Sequence, residues 1–129
     1  MRRWLVPVIE RKDVVEMARA GQNQAVGMVA EIAGLVLGAA DQAASAEREC
    51  GLFDRGPAGD SLGLYLLAFE AWGLLRPGRP VAPITVSPDV VAQLRAAERL
   101  TRKGPVGDFP AGMVGVIAGL CDEIRMRTP

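Results

Sequence analysis

The sequence predicts an all-α fold, a compact bundle of four main helices with one short helix before them. Two observations lead to this prediction. Apolar residues recur at three- and four-residue spacing through most of the chain, and Asp, Asn, Ser, Gly and Pro mark the ends of these runs. The length of 129 residues fits a single domain, 1–129, which can bury a core without disulfides or metals.

The first half of the chain predicts an extended arm and two helices. Residues 1–9 are expected to form the arm, since they contain a proline. Asp13 and Glu16 have the spacing of a capping box, which predicts a short helix that ends at Gly21. The next helix, about 24–48, is apolar nearly all round in its first half, which indicates burial on several sides.

Three further helices are predicted in the second half. One lies at about 61–75, one begins after Ser87 as its N-cap, and one lies at about 109–126 with Asp108 as its N-cap. The proline-rich stretch 76–88, here called the crossing segment, is expected to be stiff and extended. Paired as two hairpins, the four main helices would stack into a bundle.

Aromatic residues follow helical spacing in the helix at 61–75. Tyr65, Phe69 and Trp72 stand at i, i+4 and i+7, which puts them on one side of that helix. We expect this stripe to belong to the core. The alternative is that it lines a ligand pocket.

Two short patterns occur twice. The loop GPAGD at 56–60 returns as GPVGD at 104–108, and GMVAEIAGL at 27–35 resembles GMVGVIAGL at 112–120. In both loops a Gly can end one helix and the Asp can cap the next. The two echoes have different offsets, and the chain is rich in Gly, Ala and Val. We therefore favour chance over duplication, which stays open.

Four glycines inside the predicted helices have small-xxx-small spacing, which allows helices to approach closely. They are expected to form contacts between copies of the chain, because the helix at 24–48 carries more apolar surface than one neighbour needs. The competing cover for that surface is the arm at 1–9. The interface candidates are Gly34, Gly38, Gly115 and Gly119.

Several classes of catalytic and metal site are excluded by composition. The chain has no histidine, so Ser-His-Asp triads, Cys-His dyads and histidine metal sites cannot form. It also has neither of the glycine-rich nucleotide-binding motifs. No metal or cofactor is expected, and an enzyme is the less favoured reading. Cys50 and Cys121 are expected to be unpaired thiols.

A few acidic and basic residues could still form a polar pocket for acid–base chemistry or ligand binding. We favour the simpler interpretation that each reaches the surface or pairs with an arginine. The candidates are Asp54, Arg55, Asp60, Glu70 and Glu31.

Charge argues against nucleic acid as the main partner. Basic and acidic residues number 15 each, so the chain lacks the basic excess that a phosphate backbone selects. The helix after Ser87 has a basic edge of Arg95, Arg99 and Arg102, which makes a DNA-binding regulator a weak alternative. A solvated face is favoured.

The first hypothesis for function is therefore a non-enzymatic interaction or assembly protein. Its expected partner is a second copy of the chain or another protein. A small enzyme or ligand-binding domain is the second hypothesis. We expect no signal peptide and no membrane span, since the longest apolar segment, 25–40, is short and contains Glu31. The expected location is the cytoplasm, and the Arg-, Ala- and Gly-rich composition is typical of a GC-rich bacterial genome.

Overall fold

The computed structural model of the chain describes residues 11–50 and 61–128, which contain four α-helices and no strand. The all-α class and the four main helices are confirmed. A short 3₁₀ turn, Val106–Asp108, precedes the last helix. The helices are α1 (Arg11–Cys50), α2 (Ser61–Trp72), α3 (Val90–Thr101) and α4 (Met113–Arg127).

The helices form a bundle in which α1 packs against α2 and α3, and α4 packs against α2 and α3 in turn. α2 runs antiparallel to α1, and a side chain of α1 holds its first residue. The Glu47 carboxylate accepts hydrogen bonds from the Ser61 amide and hydroxyl, both at 2.8 Å. It takes the role of an N-cap side chain, because it pairs an amide that the first turn leaves unbonded.

The core is aliphatic and is centred on the middle of α1. Its large side chains are fully buried and come from all four helices, as expected for a bundle. Phe109 is the one aromatic residue among the buried apolar residues described. The largest fully buried apolar side chains are Val29, Ile32, Val36, Leu64, Leu94, Met113, Val116 and Leu120.

The crossing segment covers the side of α1 that no helix covers. The Ile84 amide donates to the Gly34 carbonyl oxygen of α1 at 2.9 Å. Further along, the Gln42 amide donates to the Ser87 carbonyl oxygen at 2.5 Å. The segment therefore runs parallel to α1, and with α2 and α3 it encloses the middle of that helix.

Gln93 of α3 holds the crossing segment in place, and its side chain is fully buried. Its amide nitrogen donates to the carbonyl oxygens of Leu35 and Ile84, at 2.9 and 2.7 Å. Its amide oxygen accepts from the backbone amides of Val86 and Ser87, at 2.6 and 3.2 Å. One side chain thus bonds backbone groups of both α1 and the crossing segment, and those of the crossing segment have no helix or sheet partners.

Two predicted helix starts are corrected by the structure. α1 continues through Gly21 without a break, so the short first helix is the N-terminal part of α1. A glycine costs about 1 kcal/mol in a helix, which is too little to end one that continues on both sides. α3 is capped by Asp89, whose carboxylate accepts from the Val91 amide at 3.3 Å, and Ser87 instead bonds the Asp89 amide.

The start of α4 also differs from the prediction. Asp108 belongs to the 3₁₀ turn and does not cap α4. The helix begins at Met113 after Gly112, whose φ of 94° is left-handed. A left-handed residue suits glycine because it has no Cβ to clash.

α1 is long and apolar enough to cross a membrane by length and composition, in the window Asn23–Glu49. In the fold 56% of its most apolar stretch is buried inside the bundle. Core helices of soluble proteins meet the same criterion, so this is weak evidence for a span.

Candidate functional site

The side of α2 that faces away from the bundle is apolar along its whole length. Leu62, Leu66 and Phe69 are exposed by 66, 60 and 52%, and Tyr65 and Trp72 lie half-buried beside them. These five residues are here called the outer α2 face. Contiguous exposed apolar surface on a soluble domain indicates an interaction site.

The prediction that the aromatic stripe belongs to the core is confirmed only in part, because Tyr65 and Trp72 are partly buried against the core and Phe69 is not. Phe69 is exposed, and the residues of α2 that enter the core are small or aliphatic. The side chain of Tyr65 stacks on Phe69 with ring centroids 6.3 Å apart, and that of Phe69 meets Trp72 at 6.2 Å. The three rings form a row across the surface. The buried residues of α2 are Ser61, Leu64, Leu67, Ala68 and Ala71.

Polar contacts fix the two ends of this aromatic row. The Tyr65 hydroxyl donates to the Asp41 carboxylate at 2.5 Å, and the Trp72 indole N–H donates to the Arg79 carbonyl oxygen at 2.8 Å. The hydrogen bond to Asp41, with partial burial, raises the pKa of the Tyr65 phenol. Because both polar tips are bonded, the rings present preorganised apolar surfaces to solvent.

Gly34 and Gly38 lie at a close approach, as predicted, but the approach is within the chain. A Cβ at Gly34 would lie 2.8 Å from the Ala82 carbonyl oxygen, and one at Gly38 would overlap that of Ile84. Both glycines are buried under the crossing segment. Their assignment to a contact between copies is therefore corrected, since this surface is already covered.

Gly115 and Gly119 lie where α4 meets α2. A Cβ at Gly119 would be 2.8 Å from Leu67, and one at Gly115 would be 3.0 Å from the Glu70 carboxylate. These two glycines thus allow α2 and α4 to approach within one chain. Gly115 is itself exposed at the edge of that contact.

Two of the five candidates for the predicted polar pocket lie among the described residues. Glu31 on α1 and Glu70 on α2 are both exposed, and neither lines the cavity described below. Asp54, Arg55 and Asp60 lie outside the described residues, as does the arm at 1–9. Among residues 11–50 and 61–128 there is no group of three acidic or cysteine side chains that could hold a metal.

A second surface feature is a groove of about 510 Å³ that runs between α3 and α4. Arg95, Glu98 and Arg99 form its α3 wall. Its α4 wall carries Cys121 and Ile124, with Arg125 at the rim, and Cys121 is a free thiol. The cavity is in the size range of small-molecule sites.

Positive charge dominates this groove, here called the arginine groove. Glu98 lines the groove and forms an ion pair with Arg102, which is not part of the lining. Arg125 is 3.5 Å from Asp122, and both of these side chains are largely exposed, so this pair is weak. In the part of the chain that the structure describes, Arg95 and Arg99 have no ion-pair partner.

The sequence prediction missed both surfaces. The signal for the outer α2 face is that Glu70 is the one charged residue in Ser61–Trp72, so the helix has no polar side to face water. For the arginine groove the sequence marked only the basic edge with Arg95 and Arg99, because the α4 wall comes from a segment that is distant along the chain.

Comparison with known protein families, curated proteins and solved structures finds no match to this chain. The assignment of function therefore depends on the two surfaces.

Proposed function

We propose that this chain is a non-enzymatic helical interaction protein that associates with a second copy of itself through the outer α2 face. The observation that supports this most strongly is the exposure of Leu62, Leu66 and Phe69 by 66, 60 and 52% on one helix. Solvating these side chains is unfavourable, and burying the part of each that remains exposed would stabilise the associated state by roughly 1–2 kcal/mol before the costs of association.

A second copy is the partner that this chemistry favours. The face has almost no charge to select a charged partner, since Glu70 lies at its edge toward α4. A two-fold axis would place the same apolar side chains of both copies against each other, as in most homodimers. The aromatic residues, already held by Asp41 and the Arg79 carbonyl, lose little conformational entropy on docking.

The dimer is expected to be weak and concentration-dependent. α2 has 12 residues and is therefore about 18 Å long at a rise of ~1.5 Å per residue. One such face is smaller than the roughly 800 Å² per partner of a standard stable interface. Association should consequently increase steadily with protein concentration.

The experiment is light scattering across a concentration series, with wild type compared to a variant carrying both Leu66→Glu and Phe69→Glu. We expect the mass of wild type to rise toward twice the chain mass of 13.7 kDa and that of the variant to remain at the chain mass. Val86→Glu is the matched control, because Val86 is 61% exposed in the crossing segment and its backbone amide bonds Gln93 of α3. It should associate as wild type does.

Wild type that stays monomeric throughout, or a double variant that associates normally while keeping its helical circular dichroism, would contradict the proposal. Deleting residues 1–9 tests whether the arm, and not a second copy, is what covers the outer α2 face. If the truncated chain associates and the full chain does not, the arm and not a second copy covers the outer α2 face.

The cytoplasm is proposed as the location, with no membrane insertion. The support is the packing of α1, whose apolar middle lies against α2, α3 and the crossing segment. Recovery of the expressed chain in the membrane fraction, resistant to salt and alkaline washes, would oppose this.

A further inference from the structure

The arginine groove combines two features that a solvated helix face does not need together. Its lining includes the apolar Ile124 and the thiol of Cys121, and three guanidinium groups from two helices. The one acidic residue of the lining, Glu98, is already paired with Arg102. Like charges that converge at one cavity repel each other, and an anion in that cavity relieves the repulsion.

We propose that the arginine groove binds a small amphipathic carboxylate, with the head at the arginines and an apolar tail along Ile124 and Cys121. Each guanidinium offers several N–H donors in a planar fork that matches a carboxylate. Arg95 and Arg99 stand one turn apart on α3, and Arg125 faces them from α4. The volume of about 510 Å³ accommodates an acid with a medium-length tail.

The charge balance separates this ligand from nucleic acid. The whole chain has no net charge, so the long-range attraction that steers proteins to a phosphate backbone is absent. An apolar surface adds nothing to the binding of a phosphate backbone, but it adds affinity for a tail. Both features favour a single anionic head attached to an apolar body.

The probe is decanoate, titrated into the isotopically labelled chain and followed by amide chemical shifts. We expect saturable shifts for residues of α3 and α4 that line the groove. Decanol, which lacks the charge, and decylammonium, which reverses it, should bind at least about tenfold more weakly, since a hydrogen bond to a charged group contributes that much.

The test variant carries Arg99→Gln and Arg125→Gln, and it should bind decanoate at least about tenfold more weakly. Arg79→Gln is the matched control, because Arg79 is exposed outside the groove. The Leu66→Glu, Phe69→Glu variant should bind decanoate as wild type does, which keeps this proposal distinguishable from self-association.

Cys121 supplies a second measurement that does not depend on a variant. Its thiol is partly exposed in the groove, so a bound tail should slow its alkylation by iodoacetamide, measured by peptide mass. Unchanged alkylation at saturating decanoate would overturn the proposal.

Three other results would overturn it as well. They are equal affinity for decanol, decanoate-induced shifts confined to the outer α2 face, and binding to duplex DNA or to anionic phosphatidylglycerol vesicles without saturable binding of free decanoate.

Discussion

The middle of α1 and the whole of α2 are apolar on nearly every side, and they lie in different surroundings. The middle of α1 is enclosed by α2, α3 and the crossing segment, so that almost every residue from 32 to 40 is buried. α2 packs against α1 and α4, and its remaining side faces solvent with Leu62, Leu66 and Phe69 exposed. A helix that is apolar on all sides can thus be covered entirely within one chain, or it can keep an exposed side that a partner can cover.

Gly34 and Gly38 make the difference on α1. Their missing side chains allow extended backbone to lie directly on the helix, where Ile84 donates to the Gly34 carbonyl oxygen. α2 has no such layer over its outer face. We therefore expect the Gly34–Gly38 side of α1 to be closed, that is, inaccessible to a partner, and the outer α2 face to be open to one.

The largest expected effect is on Gly38. Gly38→Leu should lower the free energy of unfolding by roughly 3 kcal/mol, because any Cβ there overlaps the Ile84 carbonyl oxygen. Gly27→Ala is the control on the same helix, since nothing lies within 4 Å of its Cβ position. It should raise stability by about 0.5–1 kcal/mol.

Urea unfolding measures both variants. If Gly38→Leu kept its stability but lost self-association, Gly38 would lie at a contact between copies. The stated difference between α1 and α2 would then be contradicted.

The next effect is on Gln93. Gln93→Leu keeps a similar volume but removes four hydrogen bonds to backbone groups, and it leaves those of Ile84, Val86 and Ser87 without the partner that Gln93 supplies. We expect a loss of about 2–3 kcal/mol, because buried polar groups without partners are costly. Hydrogen exchange should show faster exchange at the Ile84 and Val86 amides, with α2 amides unaffected. Uniformly faster exchange would mean that Gln93 supports the whole fold and not the cover of α1 in particular.

Periodicity was enough to predict the class and the four main helices, because it is a local property. Capping residues were less reliable, since Ser87 and Asp108 do not cap α3 and α4. Neither could select the buried side of α2, since a helix that is apolar all round has no polar side to mark its orientation. The role of Gln93 also escaped prediction, because its four partners lie on two other segments. The arginine groove depends on the packing of α3 against α4, which the spacing of residues along one helix does not reveal.

The smallest expected effect concerns Tyr65, the one tyrosine of the chain. Its folded pKa is raised, chiefly by the hydrogen bond to Asp41. The bond therefore stabilises the fold fully below the ordinary tyrosine pKa of about 10, and this contribution of about 0.5 kcal/mol is lost as the pH rises through the folded pKa.

Tyrosinate absorbance follows this titration directly. Asp41→Asn should lower the pKa of Tyr65 toward its ordinary value. Burial of the outer α2 face in a dimer should raise the pKa of Tyr65 further at high protein concentration. A titration independent of protein concentration would count against this face as the interface.

The central claim is that the outer α2 face is open to a second copy and the Gly34–Gly38 side of α1 is closed. Amide chemical shifts recorded from dilute to concentrated protein test it most directly. The account predicts concentration-dependent shifts at Leu62, Leu66 and Phe69, and none at Gly34, Gly38 or the crossing segment. Shifts confined to α1 and the crossing segment, or none anywhere in the described residues, would contradict it.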